Sequence, residues 1–338
     1  MLALEKNKLN DFLNIVSKDM PVFAPIKENN STNFCTFSSH CAVDTITLKT
    51  NKSPKNLFFA CYENIVKFNL DGKNISIEEI EKYNNPFLLF GIRSCDYKSL
   101  EILDKIFLQE PIDAYYEERR KNCIIITLAC NTFDTTCFCT NFSITPFSPN
   151  GDIACFEIDN YYCFDAKTQK GKLFLNKYTN LFINIDFNIT EYKENLSTKF
   201  SYLPLKNLNL KYFLDNNMLD IFNNQKWDSL SKTCLGCGSC TFFCPTCSCY
   251  DIGDYKNGNS ITRYRCWDSC MYKDFTIVAG GGNPRKTQKE RFRQRFMHKL
   301  VYFPSNNNNL FGCVGCGRCL KICPNSLNIV KVIKNIGE

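Results

Sequence analysis

Ahead of Trp227 the hydrophobic residues fall into short continuous runs separated by stretches of helical spacing. Asn56 to Ala60, Phe87 to Ile92 and Ile124 to Ala129 have the length and composition of buried strands. Ser99 to Leu108 and Tyr115 to Arg120, lying between such runs, read as helices. Strands alternating with helices predict an α/β layer, whose sheet order the pattern leaves open. A polar, asparagine-rich stretch over 183–217 mixes weak strand and helix signals, and the cysteine-rich segment opens after Trp227. The expected organisation is an α/β domain over 1–225, a site for partner docking or an extra cluster, followed by an α-helical domain over 226–338.

The second part repeats itself. Cys234, Gly236, Cys237, Gly238, Cys240, Cys244 and Pro245 recur 79 residues later as Cys313, Gly315, Cys316, Gly317, Cys319, Cys323 and Pro324. Agreement of this kind between two short blocks marks an internal duplication. Each block reads C-x2-C-x2-C-x3-C-P, the spacing of bacterial two-cluster ferredoxins. Three cysteines two residues apart lie on one tight loop and reach three irons of a cubane, while the fourth, expected to start the following helix, points to the other cluster. The spacing therefore assigns Cys234, Cys237, Cys240 and Cys323 to cluster 1, and Cys244, Cys313, Cys316 and Cys319 to cluster 2. Glycines between the ligands let backbone N–H groups approach the sulfurs. Zinc also uses C-x2-C pairs, but a tetrahedral zinc site would leave the third and fourth cysteines of each block without a role. Two 4Fe-4S clusters are expected, in a ferredoxin-like domain with a long insertion over 246–312.

Composition adds to this. The chain has 338 residues and 22 cysteines, too sparse for a small disulfide scaffold and far more than packing alone requires. The first twenty residues mix charges with leucines and lack an apolar export signal, so a cytoplasmic location with reduced thiols is expected. No apolar run approaches the roughly 20 residues of a membrane span, so no membrane association is expected. The formal charge of +7 comes from scattered residues, apart from Arg285 to Lys299, which reads as a basic helix with a solvated face. No nucleic-acid partner is expected. The insertion carries Cys247, Cys249, Cys266 and Cys270; the last two would share a face if helical, and the four are either further metal ligands or buried thiols.

A weaker constellation lies in the first domain. Cys95 follows one predicted strand, Cys130 ends another, and Cys137 and Cys139 follow in TCFCT. Strand ends are where α/β folds gather ligands, so these four thiols are candidates for a third iron–sulfur cluster, with buried packing as the competing reading. Catalytic candidates are missing. No GxGxxG follows a strand, and neither histidine, His40 or His298, sits in an acid–base grouping. Asp96, beside Cys95, reads as a helix cap.

The segments FLLFGIRSCDYKSL, YYEERRKNCIIITLAC, TCFCT, CLGCGSCTFFCPTCSCYD, RYRCWDSCMYKDF, ERFRQRFMHKLVY and FGCVGCGRCLKICP together resemble the iron–sulfur electron-transfer subunit of the anaerobic, NADH-linked sulfite reductase, across residues 87–337. The family is shared with the beta subunit of sulfhydrogenases. The resemblance implies a non-catalytic component of an oxidoreductase complex. Its partners would be a flavoprotein subunit that binds FAD and NADH and a sirohaem subunit that reduces sulfite to sulfide. The alternative is the iron–sulfur beta subunit of a cytoplasmic nickel–iron hydrogenase. An iron–sulfur redox sensor is a third reading, in which the basic helix would bind nucleic acid with steep salt dependence.

Overall fold

The computed structural model describes residues 1–80 and 82–337. Its strands, in chain order, are β1 (Leu2–Glu5), β2 (Val22–Glu28), β3 (Ser31–Thr36), β4 (Tyr62–Asp71), β5 (Asn74–Glu79), β6 (Phe87–Ile92), β7 (Cys123–Leu128), β8 (Ile153–Ile158), β9 (Tyr161–Ala166), β10 (Ile183–Asn184), β11 (Tyr250–Asn257) and β12 (Ser260–Trp267). Eight form a mixed sheet in the order β10-β1-β9-β8-β7-β6-β2-β3, and four form a second sheet in the order β11-β12-β4-β5. The first part of the chain is thus a mixed α/β structure.

β6 and β7 run parallel in the middle of the large sheet, with Phe87 opposite Cys123 and Leu89 opposite Ile125. Both are apolar on both faces because both faces are covered. Leu88, Phe90, Ile126 and Leu128 pack against the helix Leu9–Ser17. Phe87, Leu89, Ile92 and Ile125 pack on the other side, with Leu100 and Leu103 of the helix Ser94–Phe107. The helices Ser94–Phe107 and Ala114–Asn122 connect the two strands, and Asp113 caps the second by accepting from Tyr116 N–H at 2.9 Å.

Asn56 to Ala60, expected as a strand, is a 3-10 turn over Pro54–Leu57 followed by a buried loop. The N–H groups of Phe58 and Phe59 both bond to Lys55 O, so no ladder forms, and the two rings are fully buried. Cys266 is likewise not on a helix. It lies on β12, opposite Asp251, and Cys270 follows in a turn.

The second sheet joins parts of the chain that are far apart in sequence. β12 pairs antiparallel with β4, Ile261 facing Phe68. Arg265 of β12 donates from Nε to Glu63 of β4 at 2.9 Å and also pairs with Asp113, while Arg119 pairs with Glu63. Glu63 and Arg265 are 7% and 4% exposed, so each charge relies on its partner.

The rest of the C-terminal part is short helices on an apolar core. Trp227 is buried, with its indole N–H bonded to Ile221 O at 2.7 Å. The helix Gln288–Met297 opens with a Thr287/Glu290 capping box and runs into a π-helical segment, His298–Tyr302. The helix Ile329–Ile336 buries Ile329, Val330, Val332, Ile333 and Ile336. Among the described residues no helix is long and apolar enough to cross a membrane.

Candidate iron–sulfur site

Each cysteine block folds as a loop leading into a short helix, Ser239–Phe242 in one and Arg318–Ile322 in the other. The glycines that cap these helices, Gly238 and Gly317, have φ of 72° and 79°. Such values are reached without strain only by glycine. Cys323 caps its helix at the C-terminal end and Cys244 follows the other helix, so the fourth cysteines close these helices where the spacing had suggested they would open one. Each helix of four or five residues starts before the third cysteine and ends within the x3 gap, and the fixed φ of Pro245 and Pro324 then turns the chain away.

The chain forms two cavities here. One is lined by Cys234, Cys237, Cys240 and Cys323, with walls from Met271, Phe292, Phe296 and Leu327. The other is lined by Cys244, Cys313, Cys316 and Cys319, with Phe138, Val314 and Ile329. Each cavity thus takes three thiols from one block and the last thiol of the other.

The two loops present their sulfurs in the same way. Gly236 N–H donates to Cys234 Sγ at 3.4 Å, and Gly315 N–H donates to Cys313 Sγ at 3.4 Å. Leu327 N–H reaches Cys323 Sγ at 3.2 Å, and the Gln288 amide reaches Cys234 Sγ at 3.3 Å. Such bonds support the charge of a metal–sulfur group. Burial acts in the opposite direction, pushing the Cys240, Cys313, Cys316 and Cys319 thiols up.

The counter-charge comes from the basic helix, whose expected solvated face is largely buried. Arg291, Arg295 and Lys299 lie four residues apart on one side and are 9%, 3% and 4% exposed. Arg295 lines both cavities, and Lys299 lines the second. Burial alone would pull protons off Arg295 and Lys299, but the neighbouring cysteines outweigh it and hold both above their usual range. Lys299 Nζ is anchored on Thr246 Oγ1 at 2.7 Å and Gly312 O at 2.9 Å. The basic residues therefore face sulfur because a buried group of thiolates needs cations.

These residues fit an iron–sulfur cluster. Four thiols per cavity and apolar walls are its usual donor set and surroundings. Arg295 Nε, buried at the junction of the cavities, has no partner among the described residues, as expected of a donor directed at an anionic group. Among the described residues no three His, Cys, Asp or Glu side chains converge on a point that would hold a single metal ion. The thiols are spread around a space instead.

Two further groups of cysteines lie outside these eight. Cys247 sits beside Cys244, and Cys249 sits beside Cys270, whose thiol and N–H draw the Cys249 pKa down to about 7 against the opposing effect of burial. Lys55, which spacing did not single out, is buried next to Cys244, Cys247 and Cys249 and donates to Cys247 O at 2.9 Å. In the first part of the chain Cys95, Cys130, Cys137 and Cys139 come into one another's neighbourhood. Asp96, expected as a cap, makes a buried ion pair with Arg318 at 2.5 and 2.9 Å. Arg318 lies between the ligand positions Cys316 and Cys319, so the pair fastens the second block to the start of the helix Ser94–Phe107.

Comparison with known proteins agrees with this chemistry. Residues 233–327 match the family described as 4Fe-4S dicluster domain. Over 347 aligned residues the chain is 33% identical to sulfhydrogenase 2 subunit beta of Pyrococcus furiosus, an alignment that covers 100% of this chain and 98% of the relative. No solved structure matches.

Proposed function

We propose that this chain, which belongs to the family of the sulfhydrogenase beta subunits, is the iron–sulfur electron-transfer component of a multisubunit reductase. Cys234, Cys237, Cys240 and Cys323 hold one 4Fe-4S cluster, and Cys244, Cys313, Cys316 and Cys319 hold a second. The observation that carries the reading is the pair of four-thiol cavities sharing one buried arginine. A 4Fe-4S cluster, when bound, accepts and returns single electrons without moving protons.

The residues around it have complementary roles. The thiolates hold iron, and Gly236, Gly315 and Leu327 direct N–H groups at sulfur. Phe292, Phe296 and Phe138 exclude water. Arg295 and Lys299 offset negative charge, which favours the reduced state over the oxidised one. Conduction is then the work of this chain, and bond-making belongs to its partners.

Two readings of the complex follow. The segments that resemble the iron–sulfur component of anaerobic sulfite reductase support the reading of a cytoplasmic complex in which the chain works between an NADH-oxidising flavoprotein and a sirohaem protein that reduces sulfite. The whole-chain match to a sulfhydrogenase beta subunit favours a hydrogenase as the catalytic partner at least as well. Anaerobic purification of the native complex separates them. Sirohaem absorption with NADH-dependent sulfide formation supports the first; nickel with hydrogen oxidation supports the second. A chain purified with zinc and no iron would overturn both.

A further inference from the structure

β6 and β7 are parallel neighbours, so the segments leaving their C-terminal ends, Arg93 to Cys95 and Ala129 to Cys130, emerge side by side. Three contacts hold them there. Arg93 Nη1 donates to Ala129 O at 2.8 Å, while Ser94 Oγ and Cys130 N–H both donate to Pro146 O, at 3.3 and 2.9 Å. The following loop brings Cys137 and Cys139 to the same place. It is fixed to the second cysteine block, because Phe138 N–H bonds to Gly315 O at 3.0 Å. The approach is close: a Cβ on Gly315 would overlap Phe138 O and the backbone of Cys139, and one on Gly317 would overlap Thr136 O.

Four thiols therefore gather at the end of the sheet. Cys139 is close enough to Cys130 and Cys137, and Cys95 to Cys316 and Cys139, for each to bear on the other's thiol. One buried cation faces the group, Arg93 beside Cys130 at 6% exposed, while Arg318 beside Cys95 is already paired with Asp96. Thr140 Oγ1, next to Cys139 in the chain, is buried and has no partner among the described residues. Packing thiols need neither cations nor unpaired donors; an anionic metal–sulfur group uses both.

We infer that Cys95, Cys130, Cys137 and Cys139 hold a third 4Fe-4S cluster, adjacent to the cavity of Cys244, Cys313, Cys316 and Cys319. The inference rests on the electron-transfer reading above and extends it, placing an electron terminus in the α/β part of the chain. Loading replaces four thiol protons with four iron–sulfur bonds, and Arg93 offsets part of the resulting negative charge. Cys95 and Cys139 lie against Cys316, and of the four thiols Cys139 is the buried one.

Three versions of the full chain, prepared anaerobically, test this: the wild type, the double variant Cys130→Ser/Cys137→Ser, and the double variant Cys237→Ser/Cys313→Ser. Iron and acid-labile sulfide are counted, and EPR spectra of the reduced proteins are recorded. The expected wild-type count is about twelve irons per chain, falling to about eight in the first variant with the remaining spectrum intact. About eight irons in both would overturn the inference, as would zinc lost from the first variant. The wild-type count keeps the test decisive if that variant fails to fold. The second variant reports on the C-terminal clusters separately, so iron unchanged there would defeat the two-cluster reading and leave this one to its own comparison.

Discussion

Arg295 is the residue on which most of the site's electrostatics converge. Its guanidinium lies against both cavities and its Nε is unpaired among the described residues, so Arg295→Met should lower both cluster potentials by removing positive charge that favours the reduced state. A loss of about 1.4 kcal/mol in that preference corresponds to about 59 mV for one electron, which an EPR-monitored redox titration would resolve. Asp96 and Arg318 make a different kind of pair, one that holds two parts of the chain together. Asp96→Asn leaves a buried arginine without its partner and should cost about 3–5 kcal/mol, while Asp96→Leu with Arg318→Met should recover much of it; anaerobic denaturant titration compares the three. Asp134 responds to pH. Burial opposes its charge, but Lys321, Thr136 and Lys49 outweigh that and hold its carboxyl below the ordinary range. A carboxylate with a depressed folded pKa stabilises fully above its unfolded value of about 3.9, and that stability is lost as pH falls through the folded value. Wild type and Asp134→Asn should therefore differ most above pH ~5 and converge in acid, as thermal midpoints across pH would show.

At the scale of elements, the ligand loops depend on backbone approach. Gly317→Ala would drive a Cβ into the carbonyl oxygen of Thr136, which is backbone and has no flexible end to give way. Gly280 also has a positive φ, 87°, but nothing lies within 4 Å of its Cβ position. Gly280→Ala should thus cost only the left-handed strain of about 1–2 kcal/mol, and Gly317→Ala clearly more, with iron lost from the second cavity. Thermal midpoints and iron content measured together check both. β6 and β7 were legible because a strand covered on both faces is a continuous apolar run. Asn56 to Ala60 misled for the same reason: two buried phenylalanines look alike in a strand and in a plug after Pro54. The basic helix was legible as a helix and misjudged in orientation, since spacing puts Arg291, Arg295 and Lys299 on one side and cannot say what that side meets.

Over the whole molecule, the metal and the fold are coupled. Free energy released when thiolates bind iron is available to hold the cavities closed, so removing iron should lower the midpoint of unfolding. Hydrogen exchange should then speed up around Cys234 to Cys244 and Cys313 to Cys323, while β6 and β7, with their own packing, keep their protection. The second sheet spreads the effect along the chain, because β12, which lies between the two ligand loops in sequence, pairs with β4 from before them.

The sequence alone determined the chemistry of this protein. Cysteine spacing is local, and a tight loop wraps one face of a cubane wherever it lies, so the duplicated blocks and their cluster type could be read directly. The α/β character of the first part was local too, carried by runs a few residues long. Only the tertiary structure decided what surrounds that chemistry: the burial of the basic helix against sulfur, the Asp96–Arg318 pair, and the gathering of Cys95, Cys130, Cys137 and Cys139 beside the second block. Each joins residues that are far apart in the chain. Such contacts are set by sheet order and by which face of a helix is buried, and neither leaves a periodic mark in the sequence.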